Sequence, residues 1–378
     1  MLSLLRESPS CSRADLVRAT KLSAPTITNV VKDLLAADLI EPLGQGGSSG
    51  GRPPDMIRFK AERGCVLAVD IAGRSLSFLL VDLNGCELEH AEISLQGKKT
   101  TPEAICDFIH AEARRLLRLQ KKAKERLITI VVGVPAITNV CEGMVLSIST
   151  LEQWRSVPLR TMLHKAMGCS VIIENDTNLA AQGERFRGAA RAEQNFILVS
   201  IGNGIGAGIV LNGEIHHGTQ WSAGEIGYLR LPFVSRRNPT LHQFGELETV
   251  LTAPERLEGS KGTTGTHAEE QEVEVVGILD LAQAGDPWAR RIIAKRAGMV
   301  SDIVINLSLI LNPGLILFNG KIGSHPYLIE SVRKQLERGE FAVTKIGAAA
   351  LGDAAVLWGG VAVALEAIPS LLLPQPEI

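Results

Sequence analysis

Apolar residues change their spacing along this chain, and each change marks a new kind of element. Between residues 10 and 40 they recur at the helical period, first as Ala14, Leu16, Val17 and Ala19, then as Ile27, Val30, Val31, Leu34 and Leu35. From residue 65 they gather into short, nearly continuous runs: Val66–Val69, Leu127–Val134, Val171–Ile173, Phe196–Ile201, Ala207–Leu211 and Leu315–Phe318. Gly, Asp, Asn or Pro bounds these runs, as expected of strands buried on both faces. Amphipathic stretches alternate with them and predict helices over 102–121, 158–167, 273–284, 287–311, 327–336 and 353–367. A polar Gly/Thr-rich loop is expected over 259–271 and a tail over 369–378.

The first segment carries the punctuation of a helix-turn-helix. Ser12 is placed to cap a helix, with Asp15 three residues on. Thr20-Lys21-Leu22 reads as the turn, Ser23 as a second cap, and Pro25 falls in the first turn of the next helix, where its missing N–H costs little. Leu39-Ile40-Glu41 and Met56-Ile57-Arg58-Phe59 read as strands around a glycine-rich tip that ends in Arg52-Pro53-Pro54. This order predicts a winged helix-turn-helix DNA-binding domain over residues 1–62. Short hydroxyl, amide and basic side chains suit base edges and phosphates. The expected contacts are therefore Arg13, Ser23, Thr26, Thr28, Asn29 and Lys32, with Arg52 aimed at a narrow minor groove. The alternative is a two-helix packing unit followed by an ordinary linker.

Further on, one pattern occurs twice. Strand, glycine turn, strand, Asn-Gly, strand runs through residues 66–95 with Asn84-Gly85, and again through 196–216 with Asn212-Gly213. The repetition predicts a duplicated α/β protein with a cleft between its halves. The lobes are expected to span 63–183 plus 353–378 and 184–352. Ligands of such sheets lie beyond the carboxyl ends of the strands, and Asp70, Asn175, Asp176 and the Gly202 turn occupy those ends.

Composition narrows the picture without redirecting it. A net charge of -2 over 378 residues gives no global field for a polyanion. The first 60 residues hold eight Lys/Arg against six Asp/Glu, so any DNA-binding surface is local. No apolar run was found to approach the ~20 residues of a membrane span, and the N-terminus does not read as a signal peptide. The six cysteines form no CxxC pair, which fits a cytoplasmic chain without a disulfide framework or a thiolate metal cage.

With these segments placed, the chain resembles the ROK family of repressors, open reading frames and sugar kinases. The resemblance rests on Ser12–Leu16, Leu22-Ser23, Gly51–Pro54, Gly133-Val134-Pro135, Trp154 with Val157-Pro158-Leu159, and Asn175–Ala181. It continues through Gly202–Gly208, Ala223–Gly227 and Asn312-Pro313. The winged part is similar to the repressor branch, which includes xylose and N-acetylglucosamine repressors. The family resemblance implies an actin-like, ribonuclease-H-like sugar-kinase fold of two lobes. It also implies that Asn175, Asp176, Glu225 and Glu248 bond sugar hydroxyls, with Asp176 at the kinases' general-base position. Thr150 and Tyr228 replace an Asn and a His that belong to the family's sugar pocket.

The departures from the family pattern fall on the nucleotide side. Its Asp-x-Gly-Gly-Thr phosphate loop is Asp70-Ile71-Ala72-Gly73-Arg74 here, its Gly-Thr-Gly turn is Gly202-Asn203-Gly204, and a late Gly-Gly is Asn319-Gly320. A phosphate cradle needs small residues and close backbone approach, so no ATP turnover is expected. Tyr228, Pro239, Leu241 and Glu246 stand where the family's zinc ligands align, so neither zinc nor another cofactor is expected. The resulting expectation is a sugar-responsive transcriptional regulator, a repressor, acting as a dimer or tetramer on double-stranded operator DNA. It would answer to a sugar or sugar phosphate, without kinase activity. The alternatives are a sugar kinase with an appended DNA-binding domain, using Asp176 as its base, and a DNA-binding protein whose cleft is vestigial.

Overall fold

The computed structural model describes residues 1–46, 53–120, 127–148, 151, 153–231, 246–252, 268–337 and 344–373. The N-terminal unit opens with a short helix, α1 (Leu2–Glu7), and a two-residue strand, β1 (Cys11–Ser12). The sequence pattern predicted neither. Helices α2 (Arg13–Thr20) and α3 (Ala24–Ala36) follow, then strands β2 (Ile40–Gln45) and β3 (Asp55–Phe59). The expected caps form. Asp15 N–H donates to Ser12 Oγ and Ser12 N–H to Asp15 Oδ2, and the Ser23 hydroxyl accepts from Thr26 N–H. Lys21 turns the chain between the helices at φ 57°. Strand β3 lies between β1 and β2 in a three-stranded antiparallel sheet. Leu5, Leu16, Ile27, Val31, Leu34, Ile57 and Phe59 are buried between helices and sheet.

Two larger sheets share one topology. In the first, β4 (Cys65–Ile71), β5 (Ser75–Asp82) and β6 (Glu87–Ser94) form an antiparallel meander. Helix α4 (Pro102–Leu119) then leads to β7 (Leu127–Val134), parallel to β4. A small sheet of β8 (Ile137–Asn139), β9 (Met144–Ser147) and β10 (Arg155–Val157) intervenes. Helix α5 (Leu159–Met167) and β11 (Ser170–Asn175), parallel to β7, complete this half. After helix α6 (Asp176–Phe186) the second sheet repeats the plan. Strands β12 (Phe196–Ile201), β13 (Ile205–Leu211) and β14 (Glu214–Ile215) form the meander. Helices α7 (Glu246–Thr252), α8 (Ala268–Ala284) and α9 (Pro287–Leu311) precede β15 (Leu315–Asn319). Helix α10 (Pro326–Leu336), β16 (Lys345–Ala348) and helix α11 (Ala355–Leu372) finish the chain. The orders β11-β7-β4-β5-β6 and β14-β13-β12-β15-β16 are the same order read from opposite edges.

Helices α6 and α11 pack where the halves meet. Their backbones approach so closely that a Cβ on Gly359 would fall 1.7 Å from the Leu179 carbonyl oxygen, and one on Gly183 would fall 2.1 Å from that of Ala355. Glu184, fully buried, accepts the N–H groups of Ala189, Ala350 and Leu351. One carboxylate thus ties together both passages between the lobes.

Three expectations need correction. Helix α8 begins at Ala268, so the end of the segment read as a loop over 259–271 is helical. The tail expected from Pro369 is helical to Leu372. Pro369 cannot donate to the carbonyl of Leu365, and the Arg6 guanidinium does so instead at 3.2 Å, which replaces the hydrogen bond a proline removes there. The stretch Gly352–Leu372, with mean hydropathy 1.8, is long and apolar enough to cross a membrane, contrary to the sequence reading. Here that helix packs on α6 and β4 and within the core of the N-terminal unit, which accounts for its all-round hydrophobicity.

Candidate functional site

Strand β11 delivers Glu174 and Asn175 to the end of the first sheet, and α6 starts at once with Asp176. Asn175 caps this helix. Its Oδ1 accepts from Asn178 N–H at 3.0 Å, and its Nδ2 donates to the Ala136 carbonyl at 3.1 Å. One donor and one acceptor site of the amide expected to bond a sugar are thus given to backbone. Asp176 Oδ1 accepts from the N–H and hydroxyl of Thr177. Asp70 stands next to last in β4, and Asp353 stands just before α11. Burial, then the charges of Asp176 and Asp353, push the Asp70 carboxyl up to about 8. Burial also raises Asp176 to about 6, against the pull of its hydrogen bonds.

The second half supplies the opposite wall. Gly224 adopts φ 89°, and its carbonyl accepts from Ala207 N–H at 2.8 Å, which fixes Glu225 next to β13. Burial, then Asp176 and Glu248, raise Glu225 to about 7. Glu248 comes from α7, and its Oε1 accepts from Ile205 N–H at 3.3 Å. The phenol of Tyr228 is raised by burial and by the charges of Glu225 and Glu248. Glu225 thus lies within electrostatic reach of Asp176, Glu248 and Tyr228, although these residues come from both halves of the chain. Carboxylates so arranged accept hydroxyl donors through charge-assisted bonds.

The turns expected to have lost phosphate binding are present as turns. Asp70 and Arg74 flank the β4–β5 hairpin, in which Gly73 takes φ 75°. Gly202 N–H is spent on the Gly204 carbonyl at 3.0 Å. A Cβ on Gly204 would lie 2.9 Å from Glu248 Oε1, so a carboxylate stands against the second turn, beside the exposed Asn203. Among the described residues, no group of three His, Cys, Asp or Glu side chains is placed to hold a metal ion. Thr150, Arg52, Pro239 and Leu241, and the side chain of Glu246, lie outside the described residues.

Sequence reasoning missed His217. Its Nε2 lies 2.7 Å from Glu174 Oε2, and this bond with Glu174 raises the imidazole above its usual range. Its ring meets Trp221 edge-on, with centroids 5.6 Å apart. No spacing rule links residues 174 and 217; the available signal was His216-His217 between the Asn212-Gly213 turn and Gly224-Glu225. At the N-terminus, Thr26, Thr28, Asn29 and Lys32 are exposed on α3. Ser23 spends its hydroxyl on the cap, and Arg13 stands 3.9 Å from Asp55.

Known proteins share this architecture. The model of the ROK family matches residues 66–367. The xylose repressor of Bacillus spizizenii is 28% identical over 336 residues, covering 88% of this chain and 84% of its own. A solved ROK family transcriptional regulator, described as a homolog of the Escherichia coli MLC protein, superposes with a TM-score of 0.76 at 24% identity. It covers 96% of this chain and 93% of that one. The ROK hexokinase of Thermus thermophilus gives a TM-score of 0.63 at 26% identity, covering 99% of the hexokinase but 80% of this chain. A duplicated actin-like pair of sheets, carboxylates converging from both, and a family match over most of the length lead to one assignment: this chain belongs to the ROK family.

Proposed function

We propose that this protein is a sugar-responsive transcriptional regulator, a repressor, without kinase activity. The N-terminal domain, residues 1–62, binds operator DNA as a winged helix-turn-helix. A sugar binds between the lobes, 63–183 plus 353–378 and 184–352, and the protein acts as a homo-oligomer. The observation that carries this reading is the exposed polar face of α3, with Thr26, Thr28, Asn29 and Lys32, on a unit whose core is continuous with that of the sugar-kinase fold. The xylose repressor and the regulator described above support it, since both align with most of this chain. Absence of ATP turnover is supported by Arg74, Asn203 and Asn319, which replace small or hydroxyl residues in the family's phosphate turns. A phosphate cradle needs small residues and close backbone approach, which the bulk of Arg74 and of Asn203 opposes. Neither zinc nor a nucleotide is needed for this function.

Footprinting on DNA upstream of the protein's own gene, with and without sugars, tests the reading. A protected site that a sugar weakens or strengthens is expected; its absence under every sugar would overturn it. The kinase reading draws on Asp176, whose raised carboxyl suits a general base. A coupled nucleotide assay decides between the two, and sugar-dependent turnover lost in Asp176→Asn would establish the kinase.

A further inference from the structure

We propose that the segment from His217 to Ser222 is a lid over the carboxylate cleft, and that Trp221 is the surface on which the apolar face of an unphosphorylated monosaccharide rests. This inference builds on the reading of the cleft as a carbohydrate site.

The segment leaves and rejoins the same strand. His216 N–H donates to Ile209 O at 2.8 Å where it departs, and Ala207 N–H to Gly224 O at 2.8 Å where it returns. Ala223 N–H closes the loop on His217 O at 3.2 Å. Between these anchors His217 crosses from the second sheet to Glu174, at the end of β11 in the first. Glu174 is 8% exposed and fully engaged. Its other oxygen accepts from Asn175 N–H at 2.8 Å and Asn178 Nδ2 at 3.0 Å. The lid is therefore fastened to the residues that flank Asp176.

Trp221 is held at φ 61°, a left-handed backbone that bulky side chains rarely adopt. Such strain persists where the surroundings enforce it, and it clusters at ligand clamps. The indole is half-buried, rests against His217, and lies four positions before Glu225. A sugar has hydroxyl edges and C–H faces. Asp176, Glu225 and Glu248 serve the edges, and an indole serves a face. The same carboxylates repel a phosphate ester, which leaves unphosphorylated sugars as the ligand class.

Calorimetry of the full chain with D-xylose, D-glucose, D-glucosamine and glucose 6-phosphate, alongside thermal melts, tests this. At least one unphosphorylated sugar binds and the phosphate does not. Trp221→Gly, which relaxes the backbone, melts no lower than the unaltered chain yet binds the sugar about tenfold more weakly. Trp221→Phe recovers most of that affinity, and His217→Ala, which frees the lid from Glu174, weakens binding as well. Should Trp221→Gly melt lower and bind with unchanged strength, Trp221 is a packing residue and the lid is overturned. Preference for the phosphate would overturn the ligand class. If the unaltered chain binds none of the four, the carbohydrate reading falls, and the lid with it.

Discussion

Three buried carboxyl groups that face one another hold protons beyond their ordinary range. Asp70, Glu225 and Asp176 are raised to about 8, 7 and 6, each first by burial. In the unfolded chain such groups ionise near pH ~4. Above that pH the folded state therefore binds more protons than the unfolded one, and stability falls as pH rises. The stability these groups contribute is complete below about pH 4 and lost by the time pH passes Asp70's value of about 8. Asp70→Asn removes the group with the highest value. We expect it to melt roughly 2–4 °C above the unaltered chain at pH 9, the shift that about 1 kcal/mol makes in a domain of this size. The two should melt together near pH 4, and a difference that did not depend on pH would show that packing at Asp70 matters more than its charge.

At the scale of elements, α3 is the part whose role is most directly measured. Asn29→Ala should cost operator binding about 1–3 kcal/mol while leaving non-specific binding nearly unchanged. Lys32→Ala should weaken both and reduce the salt slope by about 0.9. Gel shifts at several salt concentrations separate the two, and equal losses on all sequences for Asn29→Ala would reduce it to a phosphate contact. Helix α3 was legible in the sequence because its cap, its proline and its apolar stripe act within a few residues. Strands β4, β7 and β12 were legible for the same reason, as short apolar runs. Strand β1 was not, since its two residues pair with β3 some 45 positions away in register Cys11↔Ile57. The turn of α11 beyond Pro369 was hidden too, because it depends on a donor from Arg6 at the other end of the chain. In the site, the convergence of Asp176, Glu225 and Glu248 could be expected from resemblance alone, whereas the Glu174–His217 pair depends on how two sheets meet.

Across the whole molecule, the duplication was visible as a repeated pattern, but the path from cleft to N-terminal unit emerges only in three dimensions. Helix α6 begins at Asp176 and α11 follows Asp353, which bears on the buried Asp70. The two helices touch backbone to backbone at Gly183 and Gly359, so they move as one body or lose their packing. The far half of α11 enters the core of the N-terminal unit through Val361, Ala364, Leu365 and Ile368. There Arg6 donates to the Leu365 carbonyl, and its guanidinium lies 5.5 Å from the centre of the Phe59 ring. On the proposed reading, a sugar that shifts α6 shifts the seat of α1 and β3. Coupling of this kind is worth about 1–3 kcal/mol, or roughly 5–150-fold in affinity. Arg6→Met keeps most of the apolar stem but leaves the Leu365 carbonyl without its donor. We expect operator affinity without sugar, and sugar affinity without operator, to stay within about threefold of the unaltered chain. The factor by which each ligand changes the other's affinity should drop severalfold, and by the same amount in both directions, because linkage is reciprocal. Arg333→Met, at an exposed site on α10, is the control and should leave the coupling intact. Coupling undiminished in Arg6→Met would mean that the signal leaves the cleft by another route than α11.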